Sequence, residues 1–282
     1  MGNKRLFWIL TIAFVIVGIL SGWVLWANTA PQTTHYTVSS NDLPDNFTGF
    51  RIAQVSDLHN TAFGDNNYKL LDILRQEDIN IIVITGDLAD SENLSVAIDF
   101  ARQAAQIAPT YYITGNHEAY ISNYTQLEKD LTACGVTVLH NETVLLQRDG
   151  ESIALSGIDD PQFGAVPSGV SQTEITANRL EQLSDHTSEY RILLAHRPEK
   201  VETYASYGYD LVLCGHAHGG QFRLPFIGGL YAPNQGWLPQ YDCGLYTVSG
   251  TQMVVSRGLG NSGFPLRFNN RPEIVIIQLN SL

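Results

Sequence analysis

The chain has 282 residues, with 28 acidic side chains against 16 basic ones and a net charge of −12. It carries no basic stripe, which argues against duplex nucleic acid as a partner, because phosphate-backbone binding rests on clustered Lys and Arg. Its three cysteines, Cys134, Cys214 and Cys243, are too few for a disulfide framework. Cys214 sits inside an apolar run and reads as a small buried residue.

Residues 1–5 form a basic tip with Lys4 and Arg5. An uncharged apolar run, LFWILTIAFVIVGILSGWVLW, follows over 6–26. At about 1.5 Å rise per residue it crosses a hydrocarbon core of roughly 30 Å, and it exceeds the about 7–15 residues of a secretory h-region. Asn28 stands where cleavage wants a small residue, and Ala30 precedes Pro31. The reading is therefore a transmembrane signal anchor that stays, in preference to a cleaved signal peptide. The early cations keep the N-terminus cytoplasmic and the rest extracytoplasmic, as a single-pass protein of the cell membrane. Residues 27–33, ANTAPQT, read as a tether, and 34–282 as one large domain.

Within that domain THYTVSS is a candidate first strand. One grammar then repeats: an apolar or β-branched run stops at Gly, Asp, Asn or His, and a helical pattern follows. The runs are RIAQVSDLH (51–59), INIIVITGD (79–87), TYYITGNHE (110–118), RILLAHRP (191–198) and YDLVLCGHAH (209–218). IIVI and ILLA are continuously apolar, as strands buried on both faces should be. Amphipathic helices are predicted around Leu70, Ile73 and Leu74; along Leu94, Ala97, Ile98, Ala101, Ala104 and Ala105; around Tyr124, Leu127 and Leu131; and over 173–185. Short β runs occupy 136–158 and 244–279. This mixture predicts an α/β fold, a four-layer αββα sandwich of two mixed β-sheets flanked by helices and preceded by one N-terminal transmembrane helix.

Ligands in open α/β sheets bind beyond the carboxyl ends of strands. Those ends here carry Asp57 and His59, Asp87 and Asp90, Asn116, His117 and Glu118, His196, and His216 and His218. In extended backbone, residues i and i+2 point the same way, so Asp57 with His59, and His216 with His218, are each expected to aim two ligands at one cavity. The neighbouring glycines allow sharp turns and close approach to an ion. Carboxylate, imidazole and amide without thiolate suit manganese, iron or zinc. Two divalent ions held about 3.5–4 Å apart by a bridging carboxylate would clamp a phosphoryl group.

In DLH, GDLAD, GNHE, AHRP and GHAH, in that order, the sequence resembles the calcineurin-like metallophosphoesterases, over roughly residues 50 to 279. The one departure is mild: Ala195 precedes His196 where many members have Gly or Ser. The resemblance implies a phosphoester hydrolase with two divalent ions, manganese first and iron or zinc as alternatives. It implies Asp57, His59 and His218 at one ion, Asn116, His196 and His216 at the other, and Asp87 bridging. A bridging hydroxide would attack in line, and Asn116 and His117 would act catalytically on the charge that builds. The segments GHAHGGQFRLPFIGGLYAPNQG and SRGLGNSGFPLRFNNRPEI resemble a branch of membrane-anchored bacterial phosphodiesterases. That implies phosphodiester hydrolysis, with an envelope lipid or cell-wall component among the candidate substrates. The alternatives are a pyrophosphohydrolase of a lipid-linked nucleotide diphosphate and, since scaffolds of this type tend to lose ligands, less favoured still, a non-catalytic scaffold.

Other positions are read more plainly. Asp90 either orients a ligand or caps the next helix with Ser91, and Glu118 either supports a ligand or serves as a helix-terminal charge. His35, His140 and His186 are expected at the surface. Arg223 and Arg267, with Arg257 near them, are candidate phosphate-binding guanidiniums. The aromatic loop from Phe222 to Trp237 is expected to wall the site, touch lipid or simply pack.

Overall fold

The apolar leader winds into one long helix, α1 (Gly2–Thr29), in the computed structural model, which describes residues 2–166, 168–183 and 188–282. The span Lys4–Thr29 is long and apolar enough to cross a membrane, and none of its most apolar window is buried against the protein. Beyond it the chain runs through β1 (Gln32–Ser40), β2 (Arg51–Val55), α2 (Tyr68–Gln76), β3 (Ile81–Thr85), α3 (Ser95–Ala104), β4 (Thr110–Ile113), α4 (Tyr124–Ala133), β5 (Val136–Val138), β6 (Glu142–Arg148) and β7 (Glu151–Gly157). Next come α5 (Gln172–Gln182), β8 (Arg191–Leu194), α6 (Val201–Ser206) and β9 (Leu211–Cys214). Two small hairpins follow, β10 (Arg223–Leu224) with β11 (Gly228–Gly229) and β12 (Tyr231–Ala232) with β13 (Gly236–Trp237). The chain closes with β14 (Gly244–Val248), β15 (Thr251–Val255) and β16 (Glu273–Ser281).

Two six-stranded mixed sheets result, ordered β1-β16-β2-β3-β4-β5 and β14-β15-β9-β8-β7-β6. In the first, β2, β3, β4 and β5 are parallel neighbours and β16 is antiparallel to β2. In the second, β15, β9, β8 and β7 are parallel neighbours, with β14 and β6 antiparallel at the edges. The continuously apolar runs divide by the two-residue period of a strand. Ile81 and Val83 of β3, and Ile192 and Leu194 of β8, enter the core between the sheets. Ile82 and Ile84 pack outward in one cluster with Leu70 of α2, Ala101 of α3 and Leu127 of α4. Leu193, Val212 and Cys214 pack outward in another with Leu180 of α5 and Val201 and Tyr204 of α6. These clusters make the αββα layers that the sequence predicts, and they bury Cys214 completely.

Two local expectations change. The tether over 27–33 is instead the last turn of α1 and the start of β1, and it is tied to the domain. The Asn28 amide donates to the Arg267 carbonyl at 2.9 Å and accepts from the Arg267 N–H at 2.8 Å. The Arg271 guanidinium donates to the carbonyls of Ala30 and Pro31 and stacks over Trp26, 4.7 Å from its ring centre. His140 is no plain surface group: it is half-buried, its Nδ1 lies 2.9 Å from Asp159 Oδ1, and its ring stacks on Phe163. His35 is exposed, with Glu77 at 3.1 Å. His186 and the end of the predicted 173–185 helix lie outside the described residues.

Candidate metal centre

Every candidate ligand stands on the loop just past a parallel strand, where the two sheets meet. The His196 Nδ1 contacts the Thr85 carbonyl at the end of β3 at 2.7 Å, and the Gln54 amide of β2 donates to the Cys214 carbonyl of β9 at 2.8 Å. These bonds cross from sheet to sheet. The glycines act here by being small. A methyl at Gly215 would collide with Ser56 Oγ and Asp57 Oδ2, and one at Gly115 with the Asp87 carboxylate.

The backbone that aims these side chains is not extended. Asp57, His59, Asp87, His216 and His218 all have positive φ, between 47° and 66°. A non-glycine residue pays for that conformation, about 1–3 kcal/mol each, and such residues gather at functional sites. Tertiary hydrogen bonds hold them: the Asp57 N–H donates to the Gly86 carbonyl, the His59 N–H to the Asp87 carbonyl, and the His216 N–H to the Asp57 carboxylate, all at 3.0 Å. The extended backbone assumed for the i, i+2 pairs is therefore absent, yet Asp57 and His59 meet in one ligand group, and His216 and His218 line one cleft while joining neighbouring groups.

Two buried groups of potential ligand atoms form, each with its atoms within 4.8 Å of one another: Asp57, His59, Asp87 and His218; and Asp87, His196 and His216. Asp87 is common to both. Its Oδ1 accepts the His117 backbone N–H at 2.8 Å. That leaves Oδ2, which lies 3.1 Å from His196 Nε2 and 3.7 Å from His59 Nε2. The His59 and His218 Nε2 atoms are 3.2 Å apart, and His218 Nε2 is 3.4 Å from Asp57 Oδ1.

The donor set fits metal ions. Asn116 Oδ1 is buried with no hydrogen-bond partner among the described residues, and His196 Nε2 has Asp87 Oδ2 at 3.1 Å but no well-aligned hydrogen bond, an arrangement costly enough in a protein interior to call for a ligand. The outer faces of the rings are supported as ligands' rings are. His216 Nε2 meets Asn234 Oδ1 at 2.9 Å, which leaves its Nδ1 facing the group. Asp90 Oδ2 lies 3.6 Å from His59 Nδ1, at ion-pair distance but beyond hydrogen-bond reach, and α3 starts only at Ser95, so Asp90 stands beside His59 and does not cap that helix. A further set, His59, Asp90 and His117, is the most open of the groupings.

Charge in the site is finely opposed. Burial alone would lower His196, but the Asp87 and Asp57 carboxylates beside it raise it to about 10. Asp87 is correspondingly held well below the usual carboxylate range by His196, against its own burial. Burial pushes Asp57 up. Burial, then the charges of His196 and Arg197, pull His216 down to about 3, and burial with His59 and Arg267 pulls His218 down as well. Neutral imidazole is the form that ligates a cation.

Of its two expected roles, Glu118 takes the support of a ligand loop, from the first turn of the short helix His117–Tyr120. Its buried carboxylate accepts the backbone N–H groups of Asp87, Leu88, Ala89 and Gly115, at 2.8–3.1 Å, and so clamps the Asp87 loop to the Asn116 loop. Burial and Asp87 push it up to about 7, against the pull of those donors. Glu118→Ala leaves four buried donors without an acceptor. The expected loss is about 2–3 kcal/mol, read as a lower urea midpoint at unchanged slope.

The predicted guanidiniums are placed differently from expectation. Arg223 is engaged by Asp242 at 2.7 Å and by the Gly219 carbonyl at 2.8 Å, which pins β10 and β11 to the His218 loop. Arg267 is 1% exposed. It donates to the Arg257 and Gly260 carbonyls and to Asn261 Oδ1, and its Nη2 lies 3.2 Å from His218 Nδ1. It backs a candidate ligand and has no free fork for a phosphate. Arg257 is half-buried beside Glu273. Arg197 borders the cleft but, like Arg267, is 1% exposed and fully engaged, by Asp160 at 2.6 and 3.0 Å and by Gln172, Asn234 and Gln162. Its only sequence signal is its place directly after His196. Asn234 and Ser262 also line the cleft, on loops whose polar residues resemble ordinary turn residues.

The model of the calcineurin-like phosphoesterases matches residues 50–220 of this chain, which contain every candidate ligand. The chain belongs to this family. It is 32% identical over 258 residues to the uncharacterized metallophosphoesterase YkuE of Bacillus subtilis, covering 89% of this chain and 86% of the relative. It is 30% identical to phosphodiesterase YaeI of Escherichia coli, with 83% and 84% covered. A transmembrane protein with metallophosphoesterase domain from Danio rerio is also 30% identical, over 95% of this chain and 62% of its own. Among solved structures, TT1561 of Thermus thermophilus superposes with a TM-score of 0.50 at 14% identity, covering 75% of this chain and 91% of that one, a likeness of fold. The chain is thus a metallophosphoesterase with a buried His/Asp cluster able to bind metal, and its apolar helix and transmembrane relatives fit a membrane-anchored protein.

Proposed function

We propose that this protein is a phosphodiesterase that works with two divalent ions and is anchored in the cell membrane with its N-terminus cytoplasmic. The observation that carries the reading is Asp87, the residue common to the two fully buried ligand groups among the described residues, whose Oδ2 faces His196 and His59. One ion would be held by Asp57, His59 and His218, the other by Asn116, His196 and His216, with Asp87 between them. Ions there would supply Lewis-acid polarisation of the phosphoryl group and a nucleophile at neutral pH. The name of YaeI, a phosphodiesterase, supports a diester as substrate. Mixed oxygen and imidazole donors favour manganese, with iron or zinc as substitutes.

The chain's own groups then have distinct tasks. Asp160, Gln172, Asn234 and Gln162 take up all five N–H donors of the buried Arg197, which thereby braces Asn234 behind His216 at the edge of the cleft. His117 is half-exposed, faces the same cleft and reaches Ser262 Oγ at 3.1 Å with its Nε2. It is placed to give a proton to the departing alkoxide. Lys4 and Arg5 ahead of the span set its orientation.

The test uses the full chain in detergent, stripped of metal by chelation and supplied with bis(p-nitrophenyl) phosphate. Turnover is expected to be absent after chelation and to return as Mn²⁺ is added back, saturating at two equivalents by calorimetry. Two bound equivalents without turnover would overturn the diesterase reading.

A further inference from the structure

Beside the metal cleft lies a second cavity of about 250 Å³, set between Tyr231 and Phe264 and walled also by Ala217 and Gly263. His218, Pro233 and Ser262 line both it and the cleft, so the two are contiguous, one apolar and one polar. From Phe264 an unbroken aromatic path leads to α1. Phe264 meets Phe222 at 5.3 Å between ring centres, Phe222 meets Phe268 at 6.5 Å, and Phe268 meets Trp23 of α1 edge-on at 5.6 Å. A third cavity, between Leu266 and the α1 residues Leu20, Val24 and Leu25, continues that path along the outside of the helix.

The surface around this path is apolar and uncovered. Phe226 is fully exposed, and Ile227, Trp237 and Leu238 are each more than half exposed. Between residues 222 and 240 the only Asp, Glu, Lys or Arg is Arg223, which is neutralised by Asp242; between 258 and 268 the only one is Arg267, which is buried. A contiguous apolar patch of this kind marks an interaction surface. Its continuity with an unburied apolar span identifies the occupant as the bilayer, since Trp23 and Trp26 stand where aromatic side chains sit at the membrane–water boundary. The docking of Asn28 on the Arg267 backbone fixes that surface relative to the helix.

We infer that the site takes a membrane-resident phosphoester, with its phosphoryl group in the metal cleft and an apolar chain in the cavity between Tyr231 and Phe264. This names the substrate class for the phosphodiesterase reading above and rests on it. The chain enters from the bilayer side along Phe222 and Phe268. The charged phosphate stays in the polar cleft, so neither part of an amphiphile is left in the wrong medium.

The experiment is a homologous series of p-nitrophenyl alkyl phosphates, from methyl through butyl to octyl, given to the full-length Mn²⁺-loaded protein in phosphatidylcholine nanodiscs. Each methylene that enters the cavity is expected to raise kcat/KM by up to about four-fold until the cavity is full. Partitioning into the nanodisc is common to all variants, so Phe264→Ser separates it from the cavity: the slope of the series should flatten in that variant. Turnover of every homologue at one rate, or an equal slope in Phe264→Ser, would overturn the inference and leave the diesterase reading standing. Turnover of none of them would overturn the diesterase reading, and the inference with it.

Discussion

Asp87→Asn is expected to fold, to bind fewer than two equivalents of Mn²⁺ and to lose more than about 10³-fold in turnover, on the order of 4 kcal/mol of transition-state stabilisation. The substitution keeps the shape of the side chain and changes only its charge and donor pattern. An amide can still accept the His117 N–H through its oxygen, as Asp87 Oδ1 does at 2.8 Å. What it puts beside His196 Nε2 and His59 Nε2 is an NH₂ group, where Oδ2 now stands at 3.1 and 3.7 Å. That group donates and cannot ligate. Both ligand groups lose their shared member at once, so the two ions should weaken together. Calorimetric titration read beside the circular dichroism spectrum checks this. A variant that binds two equivalents and turns over normally would remove Asp87 from the centre.

This prediction could be framed from the sequence because the strand runs and their polar ends are both legible there. IIVI and LVLC are apolar without a break since each strand is covered on both faces, and that pattern survives in the letters. Asp57, Asp87, Asn116, His196 and His216 stand out because little else polar follows such runs. The local geometry was not legible. Positive φ at His216 and His218 comes from tertiary hydrogen bonds, such as His216 N–H to Asp57, that join residues far apart in the chain. The same blindness applies to Arg267. A guanidinium in a loop reads as a phosphate ligand or a surface ion pair, and only the packed structure reveals three oxygen acceptors and His218 around it. Glu118 shows the converse. Its position after His117 allows a ligand support or a helix-terminal charge, and its acceptor role depends on four N–H groups from two loops.

The tie between α1 and the catalytic domain was likewise hidden, because ANTAPQT has the composition of a linker. Asn28 and Arg271 convert it into a fixed joint. The consequence reaches the site by a short route. Asn28 holds the backbone of Arg267, and Arg267 abuts His218, so a single residue separates the end of α1 from a candidate ligand. A catalytic domain hung on a flexible tether would meet the bilayer at any angle. Here Phe268 packs edge-on against Trp23, and Leu266 lines a cavity with Leu20, Val24 and Leu25 of α1.

His117→Ala is expected to keep two equivalents of metal and to lose about 10²–10⁴-fold in rate, the range of a general acid, but only for substrates whose leaving group needs a proton. The histidine differs from its neighbours in placement. The rings of His59, His196, His216 and His218 are buried, while His117 is half-exposed and lines the cleft. Its backbone N–H is tied to Asp87 Oδ1, its ring lies edge-on to His59 with centres 4.6 Å apart, and among the described residues its Nε2 meets the Ser262 hydroxyl and no carboxylate within 4 Å. A ring fixed in this way can present Nε2 to a leaving oxygen. p-Nitrophenolate departs without help, whereas an alkoxide is too basic to leave unprotonated. The ratio of rates for a dialkyl phosphate and a p-nitrophenyl ester should therefore fall sharply in His117→Ala, with the p-nitrophenyl rate nearly kept. An equal loss on both esters would assign His117 to charge stabilisation at the phosphoryl group. Loss of metal would make it a ligand, alongside the His59 and Asp90 atoms that already lie within reach.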